Sequence, residues 1–196
     1  DQPIVVWPWH DYGPTNWVTD ENLVPGYTKE MFTDLIKTAY DYGSEFVTLA
    51  DLAQRVASFD ATNYHYSFNA TANSVTATVA SADAGKFALD LSGLAADTKI
   101  KSVANWYAYD SDSVFVAKTG GTYTINLGNG IDDVTHLYDV ADRAELTSVT
   151  GDGSNLSFSV VGEGKFLVDL RDPSGGVLTV TSAAVGDLTY SVVGDK

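Results

Sequence analysis

Ser74-Val75-Thr76-Ala77-Thr78-Val79, followed by Gly85-Lys86-Phe87-Ala88-Leu89-Asp90-Leu91, is the stretch on which the fold turns. Its residues alternate with a period of two, as in a pleated strand that buries one face and solvates the other. The stretch recurs about 80 residues later, the size of one small β module. Asn155-Leu156-Ser157-Phe158-Ser159-Val160 matches its first part, and Gly164-Lys165-Phe166-Leu167-Val168-Asp169-Leu170 its second. Two residues are lost in the turn between the matching parts, which preserves the in/out parity of both strands. The pattern reads as two tandem β-sandwich modules, with one larger sandwich as the alternative.

Working outward, alternating runs also occupy Tyr64–Phe68, Ile100–Tyr109, Val114–Ala117, Tyr123–Leu127, Val134–Tyr138 and Glu145–Val149. Two more follow at Val177–Thr181 and Leu188–Val193. Between the runs lie turn clusters such as Gly120-Gly121, Gly128-Asn129-Gly130, Gly151-Asp152-Gly153 and Pro173-Ser174-Gly175-Gly176. Short strands punctuated by Gly, Asp and Asn turns predict a mainly β chain of immunoglobulin-like sandwich type. The boundaries expected are 58–139 for the first β module and 140–196 for the second.

Residues 1–57 differ in kind. Thr28 is a helix N-cap candidate, and Met31, Phe32, Leu35, Ile36, Ala39 and Tyr40 recur at helical spacing before Gly43 as the stop. Glu45-Phe46-Val47-Thr48-Leu49 reads as a strand. Thr48 and Asp51 form a capping signal ahead of Leu52, Ala53 and Val56. The segment is a short α/β piece. Parallel strands need both faces covered, so it must pack on the β modules or on something beyond this sequence.

The chain has 26 acidic and 11 basic residues, for a net charge of −15. Such a field repels phosphate backbones and anionic lipid, which argues against nucleic acid and membrane-surface partners. No apolar run is long enough for membrane insertion. The absence of cysteine excludes disulfides, thiolate catalysis and cysteine-type zinc sites. No signal pattern is visible at the start, as in a mature or excised segment. The acidic Thr/Ser/Gly/Asp-rich composition suits a secreted or cell-surface protein of bacterial type.

Near the start, Ile4-Val5-Val6-Trp7-Pro8-Trp9-His10 is an apolar run ending on a histidine, and the first helix begins eighteen residues later. A lone histidine at a strand end is either structural or catalytic. The whole order (strand with terminal histidine, loop, amphipathic helix, Gly43, "EFVTL", short helix) resembles the C-terminal end of polysaccharide deacetylases of the NodB-homology type, a carbohydrate esterase family. The resemblance covers about 57 residues and implies the last βα units of a deacetylase barrel. It implies that His10 is the general acid toward the leaving group. The acetyl pocket would be lined at Trp7 and Trp9, where the family usually carries smaller aliphatic residues. It also implies a divalent, zinc-like metal held by an Asp and a His-x-x-x-His pair, with an Asp-Asp pair supplying the base. His10, His65 and His136 are the three histidines here, and none is four residues from another. Asp132-Asp133 is the one Asp-Asp pair, and it lies in a β turn. By this resemblance the metal site and base belong to a missing N-terminal part, and the chain alone is inactive.

The remaining candidates each have two readings. Tyr12 and Trp17 follow His10 in a Gly/Pro-bearing loop, either facing substrate or shielding a barrel rim. Asp110, Asp112, Asp132 and Asp133 are calcium candidates or plain solvated turns. Trp106, Tyr107, Tyr109, Tyr64, Tyr66, Tyr123 and Tyr138 are a sugar-stacking platform or core packing. The expectation is a C-terminal fragment of a secreted polysaccharide deacetylase-like esterase, acting on polysaccharide, with accessory β-sandwiches. The alternative is a non-catalytic carbohydrate-binding or adhesion protein.

Overall fold

Thr28 caps the first helix as its spacing predicts, its Oγ1 accepting from the Met31 N–H at 3.1 Å. The computed structural model describes residues 27–81 and 84–171, with Ile4, Thr15, Asn16, Thr179, Thr181, Thr189 and Ser191. By its contacts the chain divides into two compact units, residues 1–46 and 47–196.

In the first unit β1 (Thr15–Asn16) and β2 (Tyr27–Thr28) pair in parallel over two residues, and α1 (Lys29–Asp41) follows. The helix stops by a Schellman arrangement. Gly43 sits at φ +94°, its N–H donates to the Tyr40 carbonyl, and the Ser44 N–H donates back to Ala39. The run Glu45–Leu49 is not a strand among the described residues: 45–48 are irregular, and Leu49 already opens α2 (Leu49–Asp60). A parallel strand needs hydrogen-bonded neighbours, and no described strand lies beside this run. What takes precedence is the cap, with Thr48 Oγ1 accepting from the Asp51 N–H at 3.1 Å.

The second unit continues from α2 into β3 (Asn63–Asn69), β4 (Ser74–Ala80), β5 (Ala88–Asp90), β6 (Lys99–Val103), β7 (Ser113–Phe115) and β8 (Gly120–Gly128). It then runs through β9 (His136–Asp139), β10 (Ala144–Gly151), β11 (Leu156–Gly162) and β12 (Leu167–Asp169). The described chain is mainly β, and each alternating run within it contains a strand. Val177–Thr181 and Leu188–Val193 lie outside the continuously described residues. The repeat is realised strand for strand: β4 and β11 form from its first part, β5 and β12 from its second.

The strand order β3-β4-β8-β6 makes a four-stranded antiparallel sheet. Alternation puts Ala77, Val79, Tyr123 and Ile125 on one face, where Val114 and Val116 join the same buried cluster. β10 and β11 form a hairpin, and β9 pairs with β12. Ala108, Leu137, Leu146 and Val149 gather there in a second cluster, which therefore draws on residues either side of 139. Gly85 fits because the chain crosses itself there: a Cβ would meet the Leu146 carbonyl, and Lys118 Cα at 2.9 Å.

Ile100–Tyr109, which alternates as one run, is broken after Val103. Asn105 adopts φ +57°, a left-handed conformation that Asn tolerates, and Trp106 bridges back to Val103. The segment beyond is packed on both faces, with Tyr109 in the first cluster and Ala108 in the second. Among the described residues no helix is long and apolar enough to cross a membrane.

Candidate functional site

His10, Trp7, Trp9, Tyr12 and Trp17, the residues on which the deacetylase resemblance rests, lie outside the described residues.

Within the candidate aromatic platform Tyr109 and Tyr123 are core, and Trp106 and Tyr107 pack half-buried against it. Tyr109 is buried and stacks on the fully buried His136 ring, with centroids 4.4 Å apart and planes 12° apart. Burial pushes its phenol well above the usual range. Trp106 donates from Nε1 to the Phe115 carbonyl at 2.9 Å and meets Tyr123 edge-on. The Tyr123 hydroxyl accepts from the Ala117 N–H at 3.1 Å, and burial raises its pKa. These rings have structural partners, so they present no face to a ligand.

Tyr138, 37 % exposed, meets the His136 ring edge-on. Tyr64 and Tyr66 are far more open, and Phe68 joins those two. At alternate positions of β3 they form one row of rings about 7 Å apart along the strand, with 69, 71 and 58 % of their surfaces exposed. Register places them opposite Val79, Ala77 and Val75 of β4, on the face that forms the core farther into the sheet. Phe68 closes the same alternating run, and its exposure is what marks it as the third ring of the row.

The acidic turns hold themselves together. Asp110 Oδ1 accepts from the Asp112 and Ser113 N–H groups at 2.8 and 2.6 Å, tying the turn before β7. Asp112 pairs with Lys99 at 2.9 Å and accepts from Ser111, and the Lys99 hydrogen bond leads in lowering its pKa. Asp132 lies 3.6 Å from the Lys101 ammonium, and Asp133 follows it in the same loop. Asp152 accepts from Asn155 and Ser154, and these bonds, Asn155 first, hold its carboxyl at about 2. Among the described residues no three His, Asp or Glu side chains converge as a metal site would require. The described histidines do not fit a shared ligand set: His65 stands exposed on β3 and His136 is enclosed at β9. No catalytic step is therefore derived through a metal.

No family model, no curated protein and no solved structure matches the chain.

One buried charge was invisible in the sequence. Glu145 on β10 is 6 % exposed, and its Oε2 accepts from the Lys118 ammonium at 2.7 Å while Oε1 has no partner among the described residues. It stands beside the Gly85 crossing, which gives it a structural role.

Proposed function

We propose that this chain is the C-terminal portion of a secreted or cell-surface polysaccharide deacetylase-like carbohydrate esterase. Residues 1–57 belong to its α/β catalytic domain, and the region behind them forms immunoglobulin-like accessory modules that face glycan. One observation carries the reading. Among the described residues none before Ser74 is buried, and 9 of the 17 exposed large apolar residues lie between Met31 and Val56. Short helices gain most of their stability from tertiary packing of an apolar stripe, so two capped amphipathic helices imply a covering surface. The remainder of a βα barrel is the kind of surface such a segment packs against.

In this reading His10 protonates the leaving group, Trp7 and Trp9 line the acetyl pocket, and Tyr12 and Trp17 border the polysaccharide. The base and the metal ligands come from the remainder of the domain. The test is acetate release from acetylated polysaccharides. The 196-residue chain alone should release none, whereas the product of the complete coding sequence should release acetate. There His10→Ala should lower kcat by about 10²-fold or more, the usual worth of a general acid, with little change in KM. Acetate release by the 196-residue chain alone would refute the proposal. So would a complete coding sequence lacking an upstream Asp-Asp and His-x-x-x-His.

A second reading is a non-catalytic carbohydrate-binding protein, favoured by the exposed Tyr64, Tyr66 and Phe68 row. Flat rings in a row suit the C–H faces of successive sugars. Affinity electrophoresis through gels containing soluble polysaccharide tests it. Tyr64→Ala and Phe68→Ala should each weaken retardation about fivefold, as loss of one ring contact of ~1 kcal/mol implies.

A further inference from the structure

β3 is the outer strand of its sheet, and among the described residues nothing pairs with its free edge. Proteins usually protect such an edge with charge, proline, a bulge or short length, because unpaired N–H and C=O groups template another strand. β3 has none of these. Asn63-Tyr64-His65-Tyr66-Ser67-Phe68-Asn69 contains no Lys, Arg, Asp, Glu or Pro, in a chain with 37 such charged residues (26 acidic plus 11 basic). Its ladder with β4 keeps unbroken register from Asn63↔Ala80 to Asn69↔Ser74, and all seven residues are exposed.

The strand is also close to palindromic about Tyr66. Placed antiparallel against a second copy and centred there, Asn63 meets Asn69, Tyr64 meets Phe68, His65 meets Ser67, and Tyr66 meets Tyr66. Every cross-strand pair is then like with like: aromatic on aromatic along one face, polar on polar along the other. That is the self-complementarity an isologous two-fold interface demands. We infer that β3 is a homodimerisation edge, through which two copies join their four-stranded sheets into one continuous sheet around a two-fold axis at Tyr66.

The strength of the pair follows from area. Three rings a copy, each roughly two-thirds exposed, offer on the order of 600–1,000 Å² across both copies. That falls short of the ~1,200 Å² at which standard stable interfaces begin, and two copies of charge −15 repel. The dimer is therefore weak and reversible, and salt strengthens it by screening. The inference goes beyond the proposed function and does not rest on it.

Because the chain lacks cysteine, single thiols report the register. Residues facing each other across the axis stand within the 4.4–6.8 Å Cα separation a disulfide accepts, whereas residues one position away face a different partner. Under mild oxidation of the 196-residue chain, Tyr66→Cys should form a covalent dimer and Ser67→Cys should not. Sedimentation of the unaltered chain should show a dimer that grows with concentration and with salt. Tyr66→Lys should abolish it while leaving the far-UV circular dichroism unchanged, the position being 71 % exposed. Equal cross-linking at both positions, or a persistent dimer in Tyr66→Lys, would overturn the inference. So would a chain that stays monomeric at all concentrations, and if that monomer still bound polysaccharide the proposed function would stand without the pairing.

Discussion

Lys118→Met should destabilise the β region, and the structure sets how much. Lys118 is held in place from both sides: its N–H donates to the Leu146 carbonyl at 2.8 Å, and its own carbonyl accepts from Ala84 at 2.7 Å. Its ammonium lies 2.7 Å from Glu145 Oε2, with side-chain exposures of 45 % for the lysine and 7 % for the glutamate. Breaking a fully buried pair costs about 3–5 kcal/mol, because the surviving charge is left without compensation. Here half of the lysine is wet, so solvent and salt already share in neutralising the carboxylate. The expected loss is about 2 kcal/mol, or about 4–8 °C in Tm for a unit of this size. The converse change is milder, since Glu145→Leu leaves a lysine that can turn to water. The double variant Lys118→Met/Glu145→Leu should recover most of the loss, as apolar replacement of a buried pair is often neutral. Urea unfolding followed by tryptophan fluorescence gives the four stabilities of the cycle. A Lys118→Met loss below about 0.5 kcal/mol, or a double variant equal to the sum of the singles, would show that the pair is uncoupled and refute the reasoning.

Three further outcomes are expected. His136→Ala should cost about 3 kcal/mol by thermal unfolding, because it removes a fully enclosed ring stacked on Tyr109 and leaves a cavity. Thr48→Ala should cost about 1 kcal/mol and lower helicity by circular dichroism, through loss of the bond to the Asp51 N–H. Asp139→Asn should raise Tm at pH 7 and do little at acid pH. Burial, followed by the charges of Asp142 and Asp110, raises the Asp139 pKa, so the folded chain binds that proton more tightly than the unfolded one. Stability then falls as pH rises through its titration and recovers once the charge is removed. A Tm gain that is the same at both pH values would contradict this.

How far the sequence could be read depended on the range of the interaction. The caps at Thr28 and Thr48 and the stop at Gly43 were legible because each is settled within six residues by backbone bonds. The strands β4, β5, β11 and β12 were legible because alternation and the repeat agreed. Glu45–Leu49 misled because its composition suits a strand, while strand formation needs neighbours that no local pattern can supply. Ile100–Tyr109 misled in the other direction. Its alternation continues past Val103, but Asn105 turns the chain and the residues beyond become enclosed by two clusters at once. The Glu145–Lys118 pair spans 27 positions and depends on the crossing at Gly85, so no spacing could announce it.

Periodicity identifies which face of a strand is apolar, but coverage of that face is decided elsewhere in the fold. Tyr66 lies directly opposite Ala77, and Ala77 lies opposite Tyr123. All three share one face of one sheet, yet Ala77 and Tyr123 are buried and Tyr66 is 71 % exposed. Nothing in the alternation distinguishes them; the difference is that β3 is the last strand. The same exposed apolar character runs back from Phe68 through Val56 and Leu49 of α2 and through Ile36, Leu35 and Met31 of α1. A continuous sequence segment with apolar faces and no buried residue is built to meet another surface. The helices and the edge make separate demands: an apolar stripe needs area, whereas a bare strand edge needs backbone donors and acceptors. Covering the helices with the rest of a barrel would therefore still leave the β3 edge to find a strand.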